Sequence, residues 1–492
     1  MGEMPGKPQL WIFLALPLAY LLYFYHLDGT GLLSADEPRY ASIGREMADS
    51  GDWLTPRLWG HPWFEKPPLL YWMTATGFRL RLGPELAPRL PVAVLAVLFL
   101  AFFAWVVGRE FGHEPATLAT LILGTCLGWV GFSQIAVTDL PLTVAFSSAM
   151  LLALPWVAKG DTRRLPAVGA LLGLAVLAKG LVPVVLAVPL LFRRRARDLL
   201  RGRVVAPFLA VSLPWYLLCY LRNGNEFLRV FFWQQQLSRL FSGALLHVRP
   251  PWFYIPVIAG GLLPWLPLVG LFARPAFWRD PRCVFLLWCV LFGLAFFSIS
   301  TNKLPGYVLP LVPALAAVMG LELSEVANPR PWLAASALLL VAFPVAAQVL
   351  PAGVGSGLSH ALWPQFEWVW LLPVLVAAGV CILGTQRVAA TLLVSVCATA
   401  GIVAIKAATL PELDRSASAR GLWRAIELRA DSVCVAGIQA KWRYGLNYYS
   451  VTPLPDCRTT PKPLEVRQTL GQPPYLASGG NGDTQLGVPG RR

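Results

Sequence analysis

Residues 165–192 read LPAVGALLGLAVLAKGLVPVVLAVPLLF, and Arg193, Arg194 and Arg195 follow directly. A bilayer's hydrocarbon core, roughly 30 Å thick, takes about 20 apolar residues as a helix. Here Lys179 and Gly180 split the run into two pieces, each too short to cross alone, with Pro183 just beyond. One long helix with a buried lysine and a re-entrant hairpin both fit the hydropathy. The flanks arbitrate. Lys159, Arg163 and Arg164 precede the run, and Arg193, Arg194, Arg195, Arg197, Arg201 and Arg203 follow it. Cytoplasmic flanks are rich in lysine and arginine, so both ends lie inside, which a hairpin satisfies and a single span does not.

Working outward, uncharged runs of spanning size occur at residues 8–27, 90–108, 115–138, 140–158, 204–221, 250–273, 283–302, 304–321, 331–350, 368–386 and 388–405. The first is read as a retained span behind a short cytoplasmic N-terminus, because no small-residue cleavage site follows it. With the hairpin in place, the loop holding Arg274, Arg279 and Arg282 also falls inside. Arg222, Arg229, Arg239 and Arg249 then lie outside, against the rule. The composition agrees with an all-α polytopic membrane protein: of 492 residues 56% are hydrophobic and 14% charged, with 20 Trp. A soluble domain carries about a quarter charged residues, so an ordinary cytosolic enzyme is excluded. The net charge of +15 does not call for a nucleic-acid partner, because the arginines sit between apolar runs as topology signals.

This topology leaves external loops at residues 28–89 and 222–249 and an external C-terminal region. The expected organisation is a membrane module over 1–325 that carries the polar motifs taken up below, further membrane helices over 326–408, a small α/β domain over 409–475, and a disordered tail over 476–492. In the domain, a helix is expected over residues 417–429 and a strand over 432–436. Six cysteines lie in apolar spans as packing residues, whereas Cys434 and Cys457 both fall in the external domain, where a disulfide and two free thiols are both open.

Polar groups are costly in such a chain, so their placement is informative. Ser34-Ala35-Asp36-Glu37-Pro38-Arg39-Tyr40 opens the first external loop, and Ser34 with Glu37 has the pattern of a capping box ahead of an amphipathic surface helix. If the cap occupies Glu37, Asp36 is the free carboxylate and the preferred catalytic candidate, with Glu37 beside it. Gly51-Asp52-Trp53 and Trp63-Phe64-Glu65-Lys66-Pro67-Pro68 follow, the latter a rigid interfacial corner. Asp139 begins a span at its external end, where it reads as an N-cap or a second acid. Lys179, at the hairpin tip, is placed roughly 20 Å into the bilayer from inside, where it snorkels or meets a membrane-dissolved phosphate. Lys303 lies in Thr301-Asn302-Lys303-Leu304-Pro305-Gly306-Tyr307 between two spans, and His247 ends the second external loop. Acids, lysines and a histidine thus gather on one membrane face. That suits transfer from a lipid-borne, phosphate-linked donor to an external acceptor: a carboxylate orients or deprotonates the nucleophile and cations stabilise the departing phosphate.

The stretch Ala35 to Ala41, then Gly51-Asp52-Trp53, then Phe64 to Trp72 resembles the bacterial lipid A aminoarabinose transferases, relatives of the protein O-mannosyltransferases among the GT-C membrane glycosyltransferases. Thr138-Asp139-Leu140-Pro141, Leu177-Ala178-Lys179-Gly180, His247 to Tyr254 and Asn302 to Pro305 continue the resemblance, which covers roughly the first 325 residues. It implies a GT-C fold of about thirteen membrane helices, with the hairpin as two short ones. It also implies an undecaprenyl-phosphate sugar donor and inverting transfer on the periplasmic face of the bacterial inner membrane. By motif, Asp36 is the central acid and Asp139 a second. Lys66, Lys179, Lys303, Arg39 and Tyr40 are candidates for donor-phosphate or acceptor contacts, and Glu65 with His247 is a candidate zinc pair.

The C-terminal domain carries no recognisable motif, which leaves the acceptor open. Lipid A, another envelope acceptor, and Ser or Thr of exported proteins all fit a single chain acting in the bilayer. A lipid A phosphate is already anionic and needs no strong base, whereas a hydroxyl does. A transporter or flippase would instead place its acids inside spans and repeat its halves. Here the acids sit in loops and at helix ends.

Overall fold

The computed structural model describes residues 15–237, 248–356, 364–469 and 471–478. Among these, seven helices are long and apolar enough to cross a bilayer: Leu86–Phe111, Asp139–Lys159, Gly202–Gln234, Pro281–Ile299, Pro305–Glu325, Arg330–Gly353 and Arg387–Ala417. Shorter apolar helices cover Ala15–Phe24, Leu165–Lys179, Val182–Phe192 and Trp368–Leu383.

Two runs expected to be straight spans are broken, and the breaks answer each other. The run over 115–138 becomes His113–Thr125 and Leu127–Phe132, with Cys126 extended between them. The run over 250–273 becomes Pro251–Gly261 and Leu266–Ala273, bent by 109°. Gly260 and Gly261 weaken the end of the Pro251–Gly261 helix, and Pro264 has no amide to continue it. Backbone groups freed inside a membrane must find partners. Accordingly the Leu127 amide donates to the Leu263 carbonyl at 3.2 Å and the Trp265 indole to Thr125 Oγ1 at 3.0 Å.

In the first external loop, helix α1 (Asp36–Ser50) packs on α2 (Leu69–Arg79), and a two-stranded hairpin, β1 (Arg57–Leu58) and β2 (His61–Pro62), lies between them in sequence. Helix α3 (Leu86–Phe111) then enters the membrane. Helix α4 (Asp139–Lys159) and α5 (Leu165–Lys179) pack along each other, and α5 also lies against Gly202–Gln234. A Cβ on Gly169 would fall 2.2 Å from the Val204 carbonyl oxygen and one on Gly173 2.6 Å from that of Phe208, so the four-residue glycine spacing lets these backbones touch. Helix α5 ends at Gly180, whose φ of +70° disfavours any residue with a side chain. Helix α6 (Val182–Phe192) then returns to the starting side, where Arg195 donates to the Lys159 carbonyl at 3.4 Å. The 165–192 run is therefore a hairpin whose two ends meet at one membrane surface. Arg164 with Glu110 (2.8 Å), Arg274 with Glu322 (2.8 Å) and Arg282 with Asp280 (2.7 Å) form ion pairs at that same end.

The helix expected over 388–405 runs on to Ala417, so that α7 (Arg387–Ala417) leads straight into the external domain. There Arg420–Ile426 forms a short helix, and β3 (Val433–Val435), β4 (Leu464–Arg467) and β5 (Tyr475–Ser478) form one sheet, β3 parallel and β5 antiparallel to β4. Helix α8 (Ala440–Ser450) packs on α1. β5 extends past the boundary set at 475, since residues 476–478 pair with 464–466; the remainder of the expected tail, residues 479–492, lies outside the described residues. Cys434 and Cys457 are bonded as a disulfide.

Candidate active site

The opening of the first external loop sends its two acids in opposite directions. Glu37 turns inward and is 1% exposed, while the Asp36 side chain is 40% exposed. Both Glu37 oxygens meet Arg89, from Nε at 2.7 Å and Nη2 at 2.8 Å, and they also accept the Leu33 amide at 2.7 Å and the Ala136 amide at 3.0 Å. The capping box takes an altered form: Glu37 reaches back to Leu33, and Ser34 Oγ accepts the Asp36 amide at 3.2 Å. Four donors thus occupy the oxygens of Glu37, expected as a catalytic acid beside Asp36, and hold it in place within the loop. Because Ala136 lies three residues before Asp139, Glu37 ties the segment carrying Asp36 to the one carrying Asp139.

Asp36 Oδ1 accepts from Arg39 Nη2 at 2.5 Å, and the same nitrogen reaches Glu65 at 3.2 Å. Lys66 Nζ lies 3.5 Å from Glu65, and the Trp63 indole donates to Glu65 at 3.3 Å. Asp36, Arg39, Glu65 and Lys66 therefore form one chain of alternating charge. Burial acts against the Arg39 guanidinium, but Glu65, Tyr40 and Asp36 outweigh it and hold its pKa above the usual value. The phenols of Tyr40 and Tyr71 are pushed up by burial and then by the charge of Glu65, so both stay protonated.

A second group forms at the hairpin tip. Lys179 Nζ lies 2.6 Å from Asp139 Oδ1 and 4.5 Å from the centre of the Tyr307 ring. Helix α4 carries Asp139 at the start of 21 residues, about 31 Å of helix, whereas the 15 residues of α5 rise only about 22 Å from the other side. The lysine stem spans part of the difference, which explains why the cation meets an acid at the external end. Gly306 packs directly on this pair: a Cβ there would lie 2.7 Å from the Asp139 carboxyl carbon. The two groups share a flank, since Phe64, beside Glu65, and Leu177, close to Lys179, belong to one apolar cluster with Trp215, Phe227 and Phe231.

Lys303 is buried, and its ammonium donates to the carbonyls of Ser300 and Arg249, so it braces the loop ends. Val248 pairs with Asn302 at the same place. His247 lies outside the described residues. Glu65, the other half of the candidate zinc pair, already faces Arg39, Lys66 and the Trp63 indole. These contacts hold Glu65 within the charged chain, and because the other half of the pair is not among the described residues, no step is routed through a metal.

Residues 65–221 match the family profile of dolichyl-phosphate-mannose-protein mannosyltransferases. The chain is 34% identical to undecaprenyl phosphate-α-4-amino-4-deoxy-L-arabinose arabinosyl transferase 1 of Sodalis glossinidius, over 72% of this chain and 68% of that protein. It belongs to the aminoarabinose transferase family. The arabinosyl transferase of Pseudomonas paraeruginosa is 36% identical over 64% of this chain and 60% of its own length, and transferase 2 of Pseudomonas fluorescens is 33% identical over 65% and 57%. The match thus spans about three fifths of these relatives' length. The crystal structure of ArnT from Cupriavidus metallidurans bound to undecaprenyl phosphate superposes with a TM-score of 0.73 at 25% identity, covering 94% of this chain and 87% of that one. The oligosaccharyltransferase of Archaeoglobus fulgidus shares the fold alone, with a TM-score of 0.53 at 12% identity over 91% and 65% of the two chains. The architecture is that of the GT-C membrane glycosyltransferases.

Within this aminoarabinose transferase family member, sequence reasoning missed Arg89 and the packing of Gly306 and Tyr307 on the Asp139–Lys179 pair. Arg89 precedes an apolar run and reads as a topology signal. Gly306 and Tyr307 fall within a motif whose lysine drew the attention. Tyr444 of the external domain, whose ring lies 5.4 Å from the Arg39 guanidinium, carries no signal at all.

Proposed function

We propose that the protein is an inverting glycosyltransferase that moves a sugar from undecaprenyl phosphate to lipid A or another acceptor at the periplasmic face of the bacterial inner membrane. The observation that carries this reading is the Lys179–Asp139 contact at 2.6 Å: a re-entrant hairpin delivers a cation through the membrane to an acid at the external end, where a lipid-borne phosphate arrives. The family relatives carry undecaprenyl phosphate-linked aminoarabinose in their names, and the neighbouring ArnT structure holds undecaprenyl phosphate.

In this reaction the acceptor oxygen forms a bond to the anomeric carbon as the bond from that carbon to the donor phosphate oxygen breaks. The electron pair leaves with the phosphate, stabilised by Lys66 and Lys179. Asp36, fixed on one oxygen by Arg39 and exposed on its other side, orients the acceptor. An acceptor phosphate brings its own negative charge and needs no base; a hydroxyl acceptor gives its proton to Asp36.

Purified protein in vesicles with an undecaprenyl-phosphate sugar tests this, offered lipid A in one arm and Ser/Thr peptides in the other. Transfer to lipid A that is lost in Asp36→Asn is the expected result. Transfer to peptide alone moves the acceptor to exported proteins, the reading that the mannosyltransferase profile over 65–221 favours. Full activity of Asp36→Asn overturns the role of Asp36.

A further inference from the structure

Arg39 is enclosed by three aromatic rings. Its guanidinium carbon lies 5.3 Å from the centre of Tyr40, 6.0 Å from Trp63 and 5.4 Å from Tyr444. Two of these come from the first external loop and the third from α8 of the external domain. Arg39 Nε is buried and has no acceptor among the described residues, so ring faces compensate that side of the cation. Tyr444 is itself braced, because Trp59 stacks on it at 5.6 Å with the planes 26° apart.

Trp59 holds this position against its backbone preference. It occupies the first place of the two-residue turn between β1 and β2, with φ of +55°, followed by Gly60 at +82°. Such turns favour Asn, Asp or Gly there, and a bulky residue in the left-handed region persists only where its surroundings fix it. Helix α8 supplies those surroundings and is anchored on both sides of α1. Arg45 donates to the Tyr448 carbonyl at 2.8 Å, Tyr448 Oη to the Pro84 carbonyl at 2.5 Å, and the Leu32 amide to Tyr449 Oη at 3.1 Å.

We infer that Tyr444 is a positioning residue for the transfer reaction: its ring, braced by Trp59, closes an aromatic box on Arg39 and so holds the guanidinium on Asp36. The external domain is then part of the catalytic unit. This rests on the function proposed above only for its kinetic readout.

The test uses the full-length protein in lipid nanodiscs with Tyr444→Leu, which keeps apolar volume but has no ring face, and Tyr444→Phe, which keeps the ring. A desolvated cation–π contact is worth enough that Tyr444→Leu lowers kcat about tenfold, while binding of undecaprenyl phosphate stays within about twofold. Tyr444→Phe recovers kcat to within about twofold of the natural protein. Independently of turnover, phenylglyoxal modifies Arg39 faster in Tyr444→Leu than in Tyr444→Phe, read by mass spectrometry. Equal kcat and equal labelling in all three proteins overturn the inference, as does a Tyr444→Phe as impaired as Tyr444→Leu. If Tyr444→Leu does not fold, Trp59→Leu removes the brace from the other side and is expected to show the same kcat loss and the same faster labelling. If the natural protein transfers no sugar, the functional reading fails while the labelling arm still decides the clamp.

Discussion

Glu37 and Arg89 form a two-point ion pair at 2.7 and 2.8 Å, with both side chains almost fully buried, joining the first external loop to the head of a membrane helix. Arg89 further donates to the carbonyls of Leu27, Thr30 and Gly31, so one guanidinium fixes the loop entry as well as the acid. Removing one partner of a buried pair leaves an uncompensated charge and costs about 3–5 kcal/mol. Glu37→Gln and Arg89→Met should therefore each lower resistance to denaturant-induced unfolding in detergent by an amount of that order. A Glu37→Gln protein of natural stability that had lost only turnover would return Glu37 to the reacting groups.

The Cys434–Cys457 bridge closes a loop with a sequence separation of 23 that contains α8. Cross-linking a loop of that size restricts the unfolded chain and contributes about 3 kcal/mol. Thiol labelling of unreduced protein should leave both cysteines unmodified. Reduction should destabilise the external domain and lower transfer, since α8 carries Tyr444. Labelling of both cysteines without reductant would contradict the bond.

How much of this was legible in the sequence depends on which physical rule acts locally. The hairpin was readable because charge on both flanks and a Lys-Gly interruption are local facts. Asp36, Glu65 and Lys66 were readable as a motif, and Asp139 and Lys179 as polar groups in costly places. The breaks at Cys126 and before Pro264 were not, because hydropathy counts apolar residues and is blind to where two freed backbones pair. The capping-box pattern did foretell an occupied Glu37 beside a free Asp36, but not its main cause, the Arg89 guanidinium from another element. Tyr444 was beyond reach, since its partner Arg39 lies at the other end of the chain and neither residue's neighbourhood signals the other.

Asp280 caps the helix Pro281–Ile299 at the cytoplasmic end, accepting the Arg282 amide at 2.8 Å and its guanidinium at 2.7 Å. Burial works to raise its pKa, but the bonds from Arg282 outweigh burial and hold it below the ordinary value. A carboxyl depressed in the folded state contributes stability that is present above its unfolded pKa and is lost as pH falls toward the folded one. Thermal stability should accordingly decline below about pH 4 more steeply in the natural protein than in Asp280→Asn, which starts lower at neutral pH. Parallel pH profiles for the two proteins would remove Asp280 from the acid sensitivity.

Lys179 neutralises Asp139, and its proposed contact with the donor phosphate can be separated from that role. Losing a hydrogen bond to a charged group costs about 1.5–3 kcal/mol, so Lys179→Gln should weaken binding of undecaprenyl phosphate in nanodiscs by about ten- to a hundredfold. It should also destabilise the protein, because Asp139, with a side chain only 14% exposed, loses its counter-charge. Adding Asp139→Asn relieves that second effect: the double variant should recover stability but not phosphate binding. Recovery of both would make Lys179 a counter-ion and nothing more. Gly306→Ala supplies a third point, because its methyl would press on the Asp139 carboxyl and the Phe132 ring at 2.7 and 2.8 Å. It leaves the charge of Lys179 intact, so turnover should fall through displacement of Asp139 while phosphate binding is largely kept. That pattern, opposite to the double variant's, distinguishes where the acid must sit from what the cation must touch.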